Sequence, residues 1–420
     1  MKILVVGQGG REHAIVQALK KSSKVNTVYC APGNGGIEQD AVCLNINETD
    51  FQGLVDAVNE NEIDITFVGP ENPLLEGIVD FFTERKLQII GPNKKAAQIE
   101  GSKSFAKELM KKYKIPTGDY QVFESKEDAI TYVQKMGVPI VIKADGLAAG
   151  KGVIVAHHME EALDAINSMM ESKIFGKAGE RVVVEEYLEG EELTVMAFVD
   201  GETVLPMEPA QDHKPVFDGD KGPNTGGMGT YSPVPQMNKE LLAEVYQTIL
   251  KPVAKAMVLE GYSFRGILYA GLMITSDGIK VIEFNARFGD PETQVILPRL
   301  KTDLADIFTA ICNNGLGTIK LEWDEKAAVC VVMSSKGYPG EYLKGLPITI
   351  KNLAEDTQVF IAGAKNEFKQ LVTSGGRVLG VTALGSTIKD AKEKAYIGVK
   401  QVNFEGAHFR NDIADKAISK

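Results

Sequence analysis

Short apolar runs closed by glycine and proline pattern the first hundred residues. Lys2 to Val6 runs into Gly7-Gln8-Gly9-Gly10-Arg11-Glu12-His13-Ala14, which reads as strand, glycine turn and helix. Val25 to Cys30 ends in Ala31-Pro32-Gly33-Asn34, Ile63 to Val68 in Gly69-Pro70-Glu71-Asn72, and Leu87 to Ile90 in Gly91-Pro92-Asn93. Strands that alternate with helices and close in polar loops predict an open parallel sheet with ligands at the strands' carboxyl ends. Glycines also let backbone N–H groups approach a phosphate at a helix N-terminus. An NAD site wants an acidic residue near the end of the second strand, where this chain has Tyr29-Cys30-Ala31, so the dinucleotide reading of this part is disfavoured.

From Gly101-Ser102-Lys103 an amphipathic helix runs to Tyr113, and Phe123 to Met136 carries another, with Ser125 as its N-cap. Pro139 to Asp145 is a strand, Gly146 to Gly152 a glycine-rich turn, and Val153 to Ala156 the returning strand. A lysine on each side of that turn suits a loop that folds over nucleotide phosphates. It is not a Walker A loop, because Gly150-Lys151 leads into Gly152 and a strand, not into Ser/Thr and a helix. Arg181 to Val184 is an apolar strand that breaks into Glu185-Glu186-Tyr187-Leu188-Glu189-Gly190-Glu191-Glu192, suited to an adenosine pocket. Val195–Val199 and Thr203–Leu205 form a hairpin around Asp200-Gly201. The polar runs Gln211-Asp212-His213-Lys214 and Asn224-Thr225-Gly226-Gly227-Met228-Gly229 read as a functional loop. His213 suits a general base or a binding donor, and binding is the better fit; His157 and His158 read as surface. Leu241 to Leu259 is a long amphipathic helix. Ala327 opens a β-rich segment containing Gly375-Gly376-Arg377, where Arg377 either reaches a ligand or is a turn residue, and a helix covers Ile388 to Val402.

Composition narrows the classes. At 420 residues, roughly 150 per domain gives about three domains. A formal charge of −11 argues against a nucleic-acid binder. The cysteines at 30, 43, 312 and 330 form no Cys-x-x-Cys pair, which favours a reducing cytosol over a disulfide framework or structural zinc. No apolar run approaches the ~20 residues of a membrane span, and the N-terminus reads as a first strand instead of a signal peptide. A cytoplasmic protein is expected.

The stretch Lys280 to Gln294 carries the chemistry. Its strand puts Glu283 and Asn285 on one face, with Arg287 following. A carboxylate and an amide oxygen are hard ligands that suit Mg²⁺ shared with nucleotide phosphates, Mn²⁺ being the other candidate. Arginine beside them suits charge on a transferring phosphoryl group. The preceding strand, Tyr269-Ala270-Gly271-Leu272-Met273, offers no acidic ligand, so phosphates and waters must complete the shell.

Arg287-Phe-Gly-Asp-Pro-Glu-Thr-Gln294 resembles the signature of the phosphoribosylamine–glycine ligase family. The order Lys103, Lys143, glycine loop, Glu-Glu-Tyr-Leu and Glu283-x-Asn285 resembles the ATP-grasp fold. The resemblance runs the whole chain, from Gly-Gln-Gly-Gly-Arg-Glu-His to Gly-Gly-Arg-Val-Leu-Gly-Val. It implies an α/β protein with α+β elements in three domains. These are a substrate-binding parallel-sheet domain (1–100), an ATP-grasp domain (101–326) with a small lid at about 115–190, and a C-terminal β-rich domain (327–420). It implies ATP-dependent ligation of glycine to 5-phosphoribosylamine through glycyl phosphate. Lys103, Lys143, Gly150, Gly152, Glu185, Glu186, Tyr187, Leu188 and Glu192 would hold ATP, and Glu283 and Asn285 the metal. Gly9, Gly10, Arg11, Glu12, Pro32, Gly33, Asn34, Asp212, His213, Lys214, Gly227, Met228, Pro291 and Glu292 would line the substrate sites. Arg287, Lys143 and Asp212 would be catalytic. The enzyme is expected as a monomer, with transient contact to the enzyme that makes phosphoribosylamine. Another carboxylate–amine ligase or a biotin carboxylase of the same fold is the rival. A Rossmann-type dehydrogenase or a nucleotide sensor explains only the first hundred residues.

Overall fold

A computed structural model describes residues 1–147, 152–172 and 176–418. The first apolar runs become the strands β1 (Lys2–Gly7), β2 (Thr27–Pro32), β4 (Ile65–Val68) and β5 (Ile89–Ile90), joined at one edge by a short β3 (Val42–Cys43). All pair in parallel, in the order β3-β2-β1-β4-β5. Chain direction across the sheet reverses between β1 and β4, so the loops after Gly7 and Val68 flank a crevice at the carboxyl ends. Ile3, Leu4, Val5 and Val6 are wholly buried, as a strand covered on both faces requires.

Two further sheets build the middle of the chain. The strand Glu191–Asp200 pairs with Thr203–Pro206 and with Arg265–Thr275, which in turn pairs with Gly278–Asn285 across a turn at Ser276-Asp277, the place where polar Ser-Asp-Gly interrupts the apolar pattern. The smaller sheet combines Tyr120–Phe123, Val182–Glu186, Ile140–Ala144 and Val153–Ala156, and packs its own apolar cluster around Ala129, Ile142, Ile166 and Val184. Helix Lys103–Tyr113 starts at Ser102, whose side chain accepts from Phe105 N. The helix Lys126–Met136 starts at Ser125 in the same way, as the sequence predicts.

The C-terminal sheet does not stay within the β-rich segment. Its order is Gln211–Asp212, Gly229–Ser232, Ala327–Ser334, Arg377–Gly385 and Thr357–Ile361, so the two ends of the Gly-rich loop join it as strands. Helix Ile388–Val399 covers one face. Among the described residues no helix is long and apolar enough to cross a membrane.

Candidate active site

A cavity of about 520 Å³ opens where these four sheets meet. Arg11, Pro70, Glu71 and Asn72 reach it from the parallel sheet, Lys103, Lys107 and Glu185 from the nucleotide side, and Tyr338 and Arg377 from the C-terminal sheet. Glu283, Asn285 and Arg287 enter from the middle, with Asp212, Lys214, Asp290 and Glu292 beside them.

A β-bulge aims Glu283 and Asn285. Gly271 pairs with Glu283 but Leu272 with Val281, which leaves Ile282 extra. Ile279 and Val281 face the core before the bulge and Phe284 and Ala286 after it, so 283, 285 and 287 turn to the cavity. Among the described residues no hydrogen bond is made to the Glu283 carboxylate. Its pKa is depressed, against the effect of burial, by Lys214, Lys143, Lys103 and Arg287. No cluster of three or more His, Cys, Asp or Glu side chains suited to a metal exists among the described residues.

The nucleotide side is built on a buried triad. Glu185 Oε2 accepts from Lys143 Nζ at 3.0 Å and Lys107 Nζ at 2.9 Å, while Glu185 Oε1 is buried without a partner. Lys143 also donates to the bulged Ile282 carbonyl at 3.2 Å, which leaves it one contact behind the cavity wall. Lys103 donates to Gly146 O at 3.3 Å. Burial lowers the pKa of Lys103 and Lys107. Gly152 lines the cavity, whereas Gly150 lies outside the described residues. Glu186, Tyr187 and Leu188 follow the strand without lining it, and Glu192 pairs with Lys214.

Arg287 is held on three sides: Nε meets Glu71 at 3.2 Å, Nη2 meets Glu100 at 3.0 Å, and Nη1 donates to Phe288 O at 3.2 Å. Asp212 has its pKa pushed well up by burial and by the neighbouring Glu292 and Glu283 carboxylates. Glu292 Oε1 accepts from the Tyr269 hydroxyl at 2.9 Å.

Several expected substrate residues stand away from the cavity. Glu12 bends back onto its own helix start, where Gly9 N donates to it at 2.6 Å, and its other oxygen accepts from Arg11 Nε at 2.5 Å. A Cβ at Gly69 would meet that carboxylate at 2.1 Å, so this glycine makes room for it. Gly10 packs on Gln294. Asn34 bonds Gln8 O and Ile361 O, each at 2.8 Å, tying the Pro32-Gly33-Asn34 turn to the C-terminal sheet. His213 alternates with Asp212 and Lys214 and so points the other way, 2% exposed, near Tyr231 and Ala414. Burial and the charge of Arg410 lower its pKa to about 4. Met228 is buried, and Gly227, at φ 113°, packs on Pro291.

Sequence reasoning passed over Glu71, Glu100 and Lys107. Lys107 carried a signal, because it lies four residues after Lys103 on one helix face. Glu71 sat in a strand-end loop already expected to face ligand, but Glu100 had no such mark.

Family models for the phosphoribosylglycinamide synthetase N domain, ATP-grasp (A) domain and C domain match residues 1–100, 101–293 and 328–416. A phosphoribosylamine–glycine ligase of Halalkalibacterium halodurans is 56% identical, covering 100% of this chain and 98% of the relative. One from Escherichia coli O157:H7 is 48% identical over 100% of this chain and 99% of its own. The crystal structure of phosphoribosylamine–glycine ligase from Thermotoga maritima superposes with a TM-score of 0.85 at 35% identity, covering 99% of this chain and 100% of that one. A biotin carboxylase domain from Hydrogenobacter thermophilus, in complex with MgADP and bicarbonate, shares the fold alone, at TM-score 0.72 and 17% identity. The bulged Glu-x-Asn strand and the lysines facing it thus sit in a chain that its relatives cover over its full length, and that chain belongs to the phosphoribosylglycinamide synthetase family.

Proposed function

We propose that the chain ligates glycine to 5-phosphoribosylamine at the expense of ATP, giving glycinamide ribonucleotide, ADP and phosphate for purine biosynthesis. The observation that carries this is the convergence of Glu283, Asn285, Arg287, Lys103 and Asp212 on one cavity in a chain of this family. A glycine carboxylate oxygen attacks the γ-phosphorus of ATP, and ADP leaves. The amine then attacks the acyl carbon of glycyl phosphate, and phosphate leaves as the amide forms. No protein nucleophile is needed, so the residues work by positioning and charge.

Lys103 meets the phosphates with Lys143 backing it from behind the cavity wall, and Glu185 meets the adenosine where the Glu186–Leu188 turn leaves the cavity. Arg287, fixed by Glu71 and Glu100, stabilises charge on the transferring phosphoryl group and the tetrahedral centre. Asp212, whose pKa is raised, is suited to take the proton released by the amine. The Glu283 carboxylate and Asn285 amide fit Mg²⁺ or Mn²⁺, since both are oxygen donors lining the cavity and Glu283 is free of protein hydrogen bonds among the described residues. Such an ion would neutralise charge on the nucleotide phosphates. We place the enzyme as a cytoplasmic monomer that receives its short-lived amine from the enzyme making it. The test is ADP release from Mg·ATP with glycine and freshly generated phosphoribosylamine, each omitted in turn. ADP formed only with both, together with glycinamide ribonucleotide by mass spectrometry, is expected. ADP release indifferent to the amine would overturn the acceptor.

A further inference from the structure

The Thr225–Gly227 turn is fastened from the C-terminal domain at a single residue, Gly226. Gly226 N donates to the Tyr338 hydroxyl at 3.1 Å, and Gly226 O accepts from Arg377 Nη1 at 2.6 Å. Arg377 Nη1 also donates to Asp290 O at 2.8 Å, and Nη2 pairs with the Asp290 carboxylate at 3.2 Å. Tyr338, Gly226, Arg377 and Asp290 all line the cavity. The phenol ring fits there because residue 376 is glycine; a Cβ at that position would lie 2.2 Å from it.

A tyrosine hydroxyl has one proton to give and two lone pairs. Gly226 N–H takes a lone pair. Among the described residues the Tyr338 proton finds no hydrogen-bond acceptor, so a donor stands at the cavity wall beside a guanidinium. A neutral donor beside an ion-paired guanidinium suits a group rich in oxygen. Lys103, expected to meet ATP, and its neighbour Lys107 enter from the nucleotide side of the cavity, whereas Tyr338 and Arg377 enter from the C-terminal side.

We propose that Tyr338 is a specificity-determining residue for the phosphorylated amine: held by Gly226 N–H, its hydroxyl donates to an oxygen of the phosphoribosyl moiety beside Arg377. This rests on the functional reading above. The test is the full-length Tyr338→Phe variant, which keeps the ring and removes one oxygen. Its KM for phosphoribosylamine should rise roughly tenfold, the scale of one hydrogen bond to a charged partner. Its kcat, its KM for ATP and for glycine, and its melting temperature should stay near wild type. Hydrogen exchange at the Gly226 amide should quicken. An unchanged KM for the amine overturns the proposal whatever the exchange shows. Equal rises in all three KM values with a lower melting temperature also overturn it, since they mark a merely structural tyrosine. Wild-type protein that makes no ADP from both substrates would instead sink the functional reading, a distinguishable failure.

Discussion

Replacing Lys107 with methionine separates what this lysine does for the fold from what it does for the cavity's charge. Its Nζ lies 2.9 Å from Glu185 Oε2 and 2.8 Å from Thr117 Oγ1. At that separation, in an effective dielectric of about 20, a unit pair attracts by about 6 kcal/mol. Lys143 stands on the same oxygen at 3.0 Å. Two ammonium groups roughly 5 Å apart repel by about 3 kcal/mol on the same scale. Burial of all three side chains takes back much of the remainder. The net loss of stability on substitution is therefore about 1–2 kcal/mol, much of it the hydrogen bond to Thr117. The electrostatic effect on ligand is larger. Two lysines and one carboxylate leave one positive charge over, whereas Lys143 and Glu185 alone are neutral. One charge about 7 Å from a phosphate is worth about 2 kcal/mol, or roughly thirtyfold in affinity. Calorimetric titration with a non-hydrolysable ATP analogue, beside urea unfolding, checks both numbers. Wild-type nucleotide affinity combined with a stability loss of about 3–5 kcal/mol would refute the reasoning and make Lys107 a structural partner of Glu185.

Three further outcomes follow from the same geometry. Glu283→Gln should lose most metal-dependent turnover with little change in melting temperature, because the variant forfeits no hydrogen bond to the described residues; unfolding at ordinary temperature would contradict this. Arg287→Lys should lower kcat more than ATP affinity, since one ammonium cannot meet Glu71, Glu100 and the Phe288 carbonyl together, and steady-state kinetics with nucleotide titration decide it. His213, neutral down to about pH 4 in the fold against 6.5 unfolded, leaves the unfolded chain the better proton binder between those values. Its contribution is complete above pH 6.5 and is lost as pH falls toward 4, by up to about 3 kcal/mol. Urea midpoints between pH 7 and 4.5 should therefore fall less steeply in His213→Gln.

Local chemistry was legible where it is local. Helix starts at Ser102 and Ser125, the turn joining the last two central strands, and the parallel strands closing in Gly/Pro loops all follow from short-range pattern. The limits were tertiary. The loop reading puts Asp212, His213 and Lys214 together at the substrate, but the sheet that joins Gln211–Asp212 to the C-terminal strands turns Asp212 and Lys214 to the cavity and His213 away from it. The same joining carries the Gly-rich loop across the expected boundary at 327. Glu12 reads as a ligand for substrate, yet its nearest donors, Gly9 N and Arg11 Nε, are in its own turn, and a helix start satisfies itself first when an acid sits three residues in.

Glu283 shows most plainly where a strand pattern stops being informative. Alternation puts Glu283 and Asn285 together, but an unbroken strand would carry them onto the face of Ile279 and Val281, into the core. The extra residue Ile282 reverses the parity, and its cause lies elsewhere in the chain. Thr117 donates to Val281 O at 2.7 Å, Val281 N donates to Pro116 O at 2.8 Å, and Lys143 takes the Ile282 carbonyl at 3.2 Å. A buried ammonium needs such acceptors, and a bulged carbonyl released from the ladder needs such a donor. The lysine assigned to phosphate thus also fixes the strand that presents the metal-facing carboxylate, from a position 139 residues away in the chain.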